Sequence, residues 1–130
     1  FGTLYVEEDR QWNELVANKV GLEPIFPVWI KKSETTNLLD QWLETGYDAI
    51  ICRARENIFD STIVGKSLNK DLKELFISKE ICVMGESGEY HTFVIDGPLF
   101  KERLNIIDAE TILNSGLWSL NMKEIQTTIK

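Results

Sequence analysis

Apolar residues in the first half of the chain recur at the three- and four-residue spacing of amphipathic helices. The pattern predicts one helix that begins in the acidic segment 7–9 and ends at Gly21, because acidic side chains suit the positive end of a helix and glycine suits its C-cap. A second helix is predicted after Ser33, which can cap it, and a third after Asn69. The front of the chain is therefore expected to contain three helices.

Two short apolar runs separate these helices, at 23–29 and 47–52, and both are interpreted as strands. Pro24 and Pro27 restrict the first run to a strand start or an irregular edge. Helices alternate with strands that are apolar on both faces, a pattern typical of a parallel α/β sheet.

The pattern changes after residue 80. A strand is predicted at 91–95, and two segments, 106–113 and 117–125, flank a tight turn with alternating apolar and polar residues in the second segment. We therefore expect a parallel α/β domain over residues 1–80 and a smaller β-rich region with antiparallel strands over residues 81–130.

Composition and charge exclude several classes of function. The chain has 130 residues and a net charge of −7 without a basic cluster, which argues against binding to nucleic acid or a membrane surface. No apolar run approaches the ~20 residues needed to span a bilayer. Cys52 and Cys82 form no CxxC pair and the chain has one histidine, so no metal site is predicted. Free thiols and the lack of a recognisable leader favour a cytoplasmic location.

The segment 85–92, Gly-Glu-Ser-Gly-Glu-Tyr-His-Thr, is unusually polar for a stretch that leads into a strand. Gly85 and Gly88 permit a tight loop. Should the strand begin at Glu89, the side chains of Glu89 and His91 would share one face, where a carboxylate can orient an imidazole for proton transfer or for capture of a cationic substrate. A surface or purely structural contact is the alternative explanation for this pair.

Residues 85–100 also resemble the signature G-E-x-G-E-[YF]-H-T-F-V-x-D-G-P-[LI]-F of the diphthine–ammonia ligase family. Four upstream segments resemble family sequences in the same order, at 1–7, 26–29, 46–51 and 65–66. The resemblance implies a PP-loop (HUP-like) ATPase domain with a parallel sheet. It also implies an ATP-dependent ligase that adenylylates a carboxylate, lets ammonia displace AMP, and forms an amide.

The same resemblance implies the partners and the site. ATP would be the cofactor, and Mg²⁺ is compatible with it as a second one. A carboxylate and ammonia would be the substrates. Glu89 and His91 are implied as catalytic residues. Substrate-binding residues are implied at four further positions: Glu86, Gly88, Thr92 and Asp96. For Asp96 the alternative explanation is a turn built by residues 96–98.

Departures from the family pattern set limits on these expectations. Thr3 replaces an aspartate of the family, residues 82–84 lack its D-P-C, and the phosphate-binding S-G-G-K-D-S loop is absent from the sequence. We therefore expect the C-terminal portion of a ligase, inactive without a phosphate-binding half. It would pair with that half or form a homo-oligomer to cover its sheet edge. The alternative is a non-catalytic remnant that binds a ligand or a partner protein.

Overall fold

The computed structural model describes residues 1–130 and contains three helices, two single 3₁₀ turns and four strands. In chain order they are α1 (Glu7–Lys19), a 3₁₀ turn (Lys32–Glu34), α2 (Thr35–Glu44), β1 (Asp48–Arg55), a 3₁₀ turn (Ser61–Ile63), α3 (Lys70–Ser78), β2 (Tyr90–Asp96), β3 (Glu102–Asn114) and β4 (Leu117–Ile129).

The three predicted helices are confirmed, with one correction to their caps. Asn69 caps α3 through its side-chain oxygen, which accepts a hydrogen bond from the Leu72 N–H at 2.9 Å. Gly21 and Gly46 have φ of 72° and 79° beyond the ends of α1 and α2, a conformation that glycine adopts without strain. The Ser33 cap is wrong, because this residue lies inside the 3₁₀ turn that precedes α2.

The prediction of a parallel sheet is wrong. The four strands form one sheet in the order β2-β1-β4-β3, and every neighbouring pair is antiparallel. The run 23–29 forms no strand: the Trp29 N–H donates to the Phe26 carbonyl at 3.1 Å and closes a turn, and Pro24 and Pro27 have no N–H to offer a sheet. Only β1 comes from the front half, so no second strand exists there to pair with it in parallel.

Strand β1 lies inside the sheet, and its two halves have different neighbours on one side. Beside its first half, the segment 65–68 makes short hydrogen bonds: Gly65 N–H to the Ile51 carbonyl at 2.8 Å, and Leu68 N–H to the Ala49 carbonyl at 2.7 Å. Beside its second half, strand β4 pairs with β1 only at residues 53–55. The turn of the β3–β4 hairpin is thereby held beside the end of β1.

The hydrophobic core lies between this sheet and helices α2 and α3. Phe76 of α3 is fully buried, stacks on the Tyr90 ring at 4.6 Å between centroids and meets the Phe59 ring edge-on at 5.8 Å. The buried cluster comprises Leu39, Ile51, Ala54, Phe59, Ile63, Val64, Leu72, Phe76, Val83 and Tyr90.

Helix α1 contributes little to the core. Trp12 on this helix is 63% exposed and Leu15 is 53% exposed, and Ala17 is its one buried residue. None of the helices combines the length and the apolar character that a membrane crossing requires.

Candidate active site

The polar segment forms a tight loop that leads into β2. The Gly85 N–H donates to the Cys82 carbonyl at 3.0 Å, and the Gly88 N–H donates to the Gly85 carbonyl at 2.9 Å. Gly85 and Gly88 have φ of 68° and 74°, and a Cβ on Gly85 would lie 3.0 Å from the Tyr90 carbonyl oxygen. Both conformation and space therefore require glycine at position 85.

Glu89 lies just before the first residue of β2 and is 8% exposed. Its carboxylate accepts hydrogen bonds from the Ser87 N–H at 3.0 Å and the Cys82 N–H at 3.4 Å. Its backbone carbonyl accepts from the Arg55 N–H at 3.0 Å. The side chain thus ties the two ends of the loop together.

Glu86 connects the loop to the N-terminal segment. Its carboxylate is partly buried and accepts a hydrogen bond from the Leu4 N–H at 2.9 Å. The neighbouring Tyr5 hydroxyl is buried without a hydrogen-bond partner. Burial raises the pKa of Tyr5, and the adjacent Cys82 thiol and the two glutamates raise it further, so this hydroxyl stays protonated.

His91 is exposed, on the other side of the sheet from the core. Strand β1 carries a bulge between Ile51 and Arg53, after which Arg53 pairs with His91 and Ala54 with Tyr90. Cross-strand partners project to the same face, so the Arg53 and His91 side chains share the outer face while Ala54 and Tyr90 enter the core. The expected Glu89–His91 contact does not form, because the carboxylate of Glu89 bonds to the loop instead.

Arg55 holds the loop from β1. Its Nε donates to the Gly88 carbonyl at 2.9 Å and its Nη2 to the Ser87 carbonyl at 2.8 Å. Neither Arg53 nor Arg55 was predicted from the sequence as a site residue. Two arginines spaced i, i+2 at the end of a strand, in an acidic chain, were the signal that could have identified them.

Two open clefts of about 400 Å³ meet at the loop, and Gly88 and His91 line both. The first cleft lies on the loop side and is lined by Met84, Gly85, Glu86, Gly88, Tyr90, His91 and Thr92. The second lies between the loop and the β3–β4 turn and is lined by Arg55, Asn57, Gly88, His91, Ser115, Gly116 and Leu117. The structure thus brings together Glu86, Gly88, Glu89, His91 and Thr92, of the predicted site residues.

Asp96 lies away from this group, at the opposite end of β2 and about 20 Å along the strand by its rise per residue. Its carboxylate accepts from Lys130 Nζ at 2.8 Å and from Arg103 Nη1 at 3.3 Å. The Lys130 ammonium, with help from Arg103, holds the pKa of Asp96 below its usual value. Its contacts join the end of β2 to the start of β3 and to the C-terminal residue.

The glycine loop does not fit the phosphates of ATP. A phosphate cradle needs backbone N–H groups that point outward, whereas those of Gly85, Ser87 and Gly88 bond to the loop itself. The carboxylates of Glu86 and Glu89 next to it would repel a phosphate. No group of three or more His, Cys, Asp or Glu side chains is placed to hold a metal ion.

Comparison with known proteins agrees with the motif. The family model described as the diphthamide synthase C-terminal domain matches residues 34–126. The chain is 30% identical over 118 residues to a diphthine–ammonia ligase of Danio rerio, with 88% of this chain and 46% of the relative covered. For the Mus musculus protein of the same name the identity is 31% over 121 residues, with coverage of 88% and 43%.

The protein of that name from Schizosaccharomyces pombe is 34% identical over 117 residues, which cover 88% of this chain and 19% of the relative. The chain thus spans about half the length of the animal relatives and a smaller share of the fungal one. The family match begins just before α2 and ends within β4, so it includes the loop, its arginine contacts and both clefts. The chain therefore belongs to the diphthamide synthase C-terminal domain family.

Proposed function

We propose that this chain is the substrate-side part of a ligase that joins ammonia to a carboxylate and forms an amide at the expense of ATP. The observation that carries the proposal is the position of the motif loop: the family signature residues Glu86, Gly88 and His91 border the two clefts. In this proposal residues 81–130 carry the substrate side, and β1 supports them from residues 1–80. ATP would be held by a part of the enzyme outside these residues.

His91 is proposed as the catalytic residue that meets the substrate, because its side chain is exposed at the junction of both clefts. When the nitrogen of ammonia adds to an activated carbonyl carbon, the leaving group departs with its bonding electrons and the nitrogen must lose a proton. The His91 imidazole can accept that proton, which is the usual role of histidine near neutral pH. Thr92 would line the loop-side cleft next to it.

Glu89 is proposed as a positioning residue rather than a group in direct contact with the substrate. Its carboxylate is buried and already accepts two backbone hydrogen bonds. By holding the loop in place, the Glu89 side chain would hold the backbone at Gly88. It would also orient the side chain of His91, which follows two residues later. Preorganisation of this kind is a substantial part of catalysis in reactions where the enzyme mainly aligns reactants.

The test is an assay of the polypeptide as its gene encodes it, with ATP, ¹⁵N-labelled ammonium and candidate carboxylates. We expect AMP, pyrophosphate and a labelled amide in equal amounts. His91→Ala should lower turnover by about 10²-fold or more, as for loss of a general base, and exposed Gln126→Ala should not change it. Release of ADP in place of AMP would contradict the proposed chemistry.

One observation favours a second function, a non-catalytic ligand-binding protein of the same family: the loop amides are not arranged to hold phosphate. If the encoded polypeptide neither consumes ATP nor binds it, and a separately added ATP-binding protein does not restore amide formation, this second function replaces the first.

A further inference from the structure

Two arginines at the cleft between the loop and the β3–β4 turn form no ion pair within the chain. The chain contains four arginines. Arg10 pairs with Glu14 at 2.9 Å, and Arg103 pairs with Asp48 at 2.7 Å. The hydrogen bonds of Arg53 and Arg55 go instead to a serine hydroxyl and to loop carbonyls.

Both of these arginines have donors left for a ligand. Arg55 lines the cleft, and its hydrogen bonds use Nε and Nη2, which leaves Nη1. Arg53 uses Nε alone, in a long 3.3 Å contact with Ser119 Oγ. It lies opposite His91 of β2 and opposite Ser119 of β4, so it stands on the outer face of the sheet beside His91, which lines the cleft.

No acidic side chain is among the residues that line this cleft. The Glu86 and Glu89 carboxylates are turned into the loop, where they accept backbone hydrogen bonds. Glu56 is the acidic side chain at the turn, with its Oε1 3.6 Å from the point where a Cβ on Gly116 would lie. The Arg55 guanidinium in the cleft and the Arg53 side chain beside His91 thus stand against one carboxylate, that of Glu56. The predicted use of the motif for a cationic substrate does not suit this side of the loop.

We infer that Arg53 and Arg55 bind the carboxylate of the acceptor substrate in this cleft and so select anionic acceptors. The inference rests on the proposed function, since it assigns the substrate group that lies beside His91. A guanidinium binds a carboxylate through two parallel hydrogen bonds, which gives both affinity and orientation. The acceptor would then enter between the loop and the hairpin turn, with its reacting carbon next to the imidazole of His91.

Binding can be measured on the 130-residue chain without any turnover, because His91 is its only histidine and gives one unambiguous ring signal in a ¹H–¹³C NMR spectrum. The probe is glutarate, a dicarboxylate. Saturable movement of the His91 signal is expected, and Arg53→Gln should weaken the affinity about tenfold, the loss typical of a hydrogen bond between charged groups. Arg53→Lys should lose less, since it retains the charge but not the paired donors.

Two further variants serve as controls. Lys101→Gln removes the same charge from an exposed side chain beyond the far end of β2, and it should leave glutarate affinity unchanged. Glu56→Gln removes the acidic side chain at the turn and should strengthen binding. Arg53 makes only the long contact with Ser119, so Arg53→Gln should keep the fold, which the rest of the spectrum reports.

The affinities of pyrophosphate and sulfate are measured in the same way, because pyrophosphate represents a nucleotide phosphate and sulfate represents an anion without a carboxylate. Glutarate binding at least tenfold tighter than both supports the inference. Tighter binding of pyrophosphate would assign the cleft to a nucleotide phosphate and overturn it, as would equal binding of sulfate or an unchanged affinity in Arg53→Gln. If AMP and amide form in the ligase assay while glutarate leaves His91 unmoved, the inference fails and the proposed function stands. If glutarate binds and Arg53→Gln weakens that binding, but no AMP or amide forms, the cleft remains a carboxylate-binding site and the proposed ligase function fails.

Discussion

Replacement of Glu89 by glutamine tests whether the buried carboxylate holds the motif loop in place. Glutamine keeps one acceptor oxygen and puts an NH₂ group where the other oxygen was. The oxygen would stay on the shorter bond, to Ser87 N–H at 3.0 Å, and the new donor would then face the Cys82 N–H at 3.4 Å. Residue 89 is only 8% exposed, so water does not replace the lost acceptor. The Cys82 N–H would therefore face another donor and be left without a hydrogen bond.

The expected cost follows from the bonds that are lost. Hydrogen bonds to charged groups contribute about 1.5–3 kcal/mol each, and an unsatisfied buried donor costs about 1–3 kcal/mol. Because the Cys82 bond is the longer of the two, the lower half of these ranges applies, which gives about 2 kcal/mol for Glu89→Gln. For a chain of this size that corresponds to a fall in Tm of about 6–10 °C.

The assay is thermal and urea unfolding of the wild type and of Glu89→Gln, with amide hydrogen exchange as a local readout. His91→Ala is the matched control from the same motif, and its exposed position predicts a change below about 0.5 kcal/mol. The amides of Ser87 and Cys82 should exchange faster in Glu89→Gln, while those in the middle of α3 keep their protection. A Tm within 1–2 °C of the wild type with unchanged exchange would refute the positioning role and restore Glu89 as a directly reacting group (the threshold is about 0.5 kcal/mol).

Two other predictions concern the far end of β2. Gly97→Ala should destabilise the fold by about 1–3 kcal/mol in urea unfolding, because its Cβ would overlap the Tyr47 ring, whereas Gly2→Ala, with open space around it, should be neutral. Asp96 has a lowered pKa, so its ionised form stabilises the fold at neutral pH, and that contribution is lost as the pH falls below about 4, through the lowered folded-state pKa. The stability difference between wild type and Asp96→Asn should therefore shrink in acid and with added salt; a difference that stays constant from pH 7 to pH 2 would contradict the Lys130 pairing.

Local sequence patterns were sufficient for most of the secondary structure. The spacing of apolar residues and the Asn69 cap determine the helices, and the alternation around Gly116 determines the β3–β4 hairpin. These features depend on residues that are close in sequence. The apolar run 23–29 predicted a strand that Pro24 and Pro27 restrict to a start or an irregular edge, whereas the missing N–H groups of the two prolines keep the run out of the sheet altogether.

The direction of the sheet could not be predicted in the same way. Alternation of helix and strand is typical of parallel sheets only when each unit contributes a strand, and here the first unit contributes none. Strand β1 consequently takes its neighbours from the second half of the chain, in the antiparallel sense. Which strands become neighbours is a long-range property, and one missing strand changes it for the whole sheet.

The candidate site depends on a single extra residue in β1. Without the bulge after Ile51, Cys52 would pair with His91, and Arg53 would pair with Tyr90 and project into the core. With Cys52 accommodated as the extra residue, Ala54 takes the core position and both arginines project to the face of His91. The burial of a guanidinium costs far more than a local distortion of two strands, so the energetics of the core select the bulge.

Because the β1 bulge places Arg53 and Arg55 next to the loop, the motif predicted the loop residues but not these two arginines. Glu86, Glu89 and His91 are visible in eight consecutive residues, whereas Arg55 reaches the same loop across 33 positions of sequence. The side-chain period of two, applied to residues 89–91, fails because the turn at Gly88 places Glu89 outside the strand. The chemistry of the cleft is thus set jointly by a glycine turn in one strand's approach and a bulge in its neighbour. A change at either place would move His91 relative to the arginines, even with every signature residue intact.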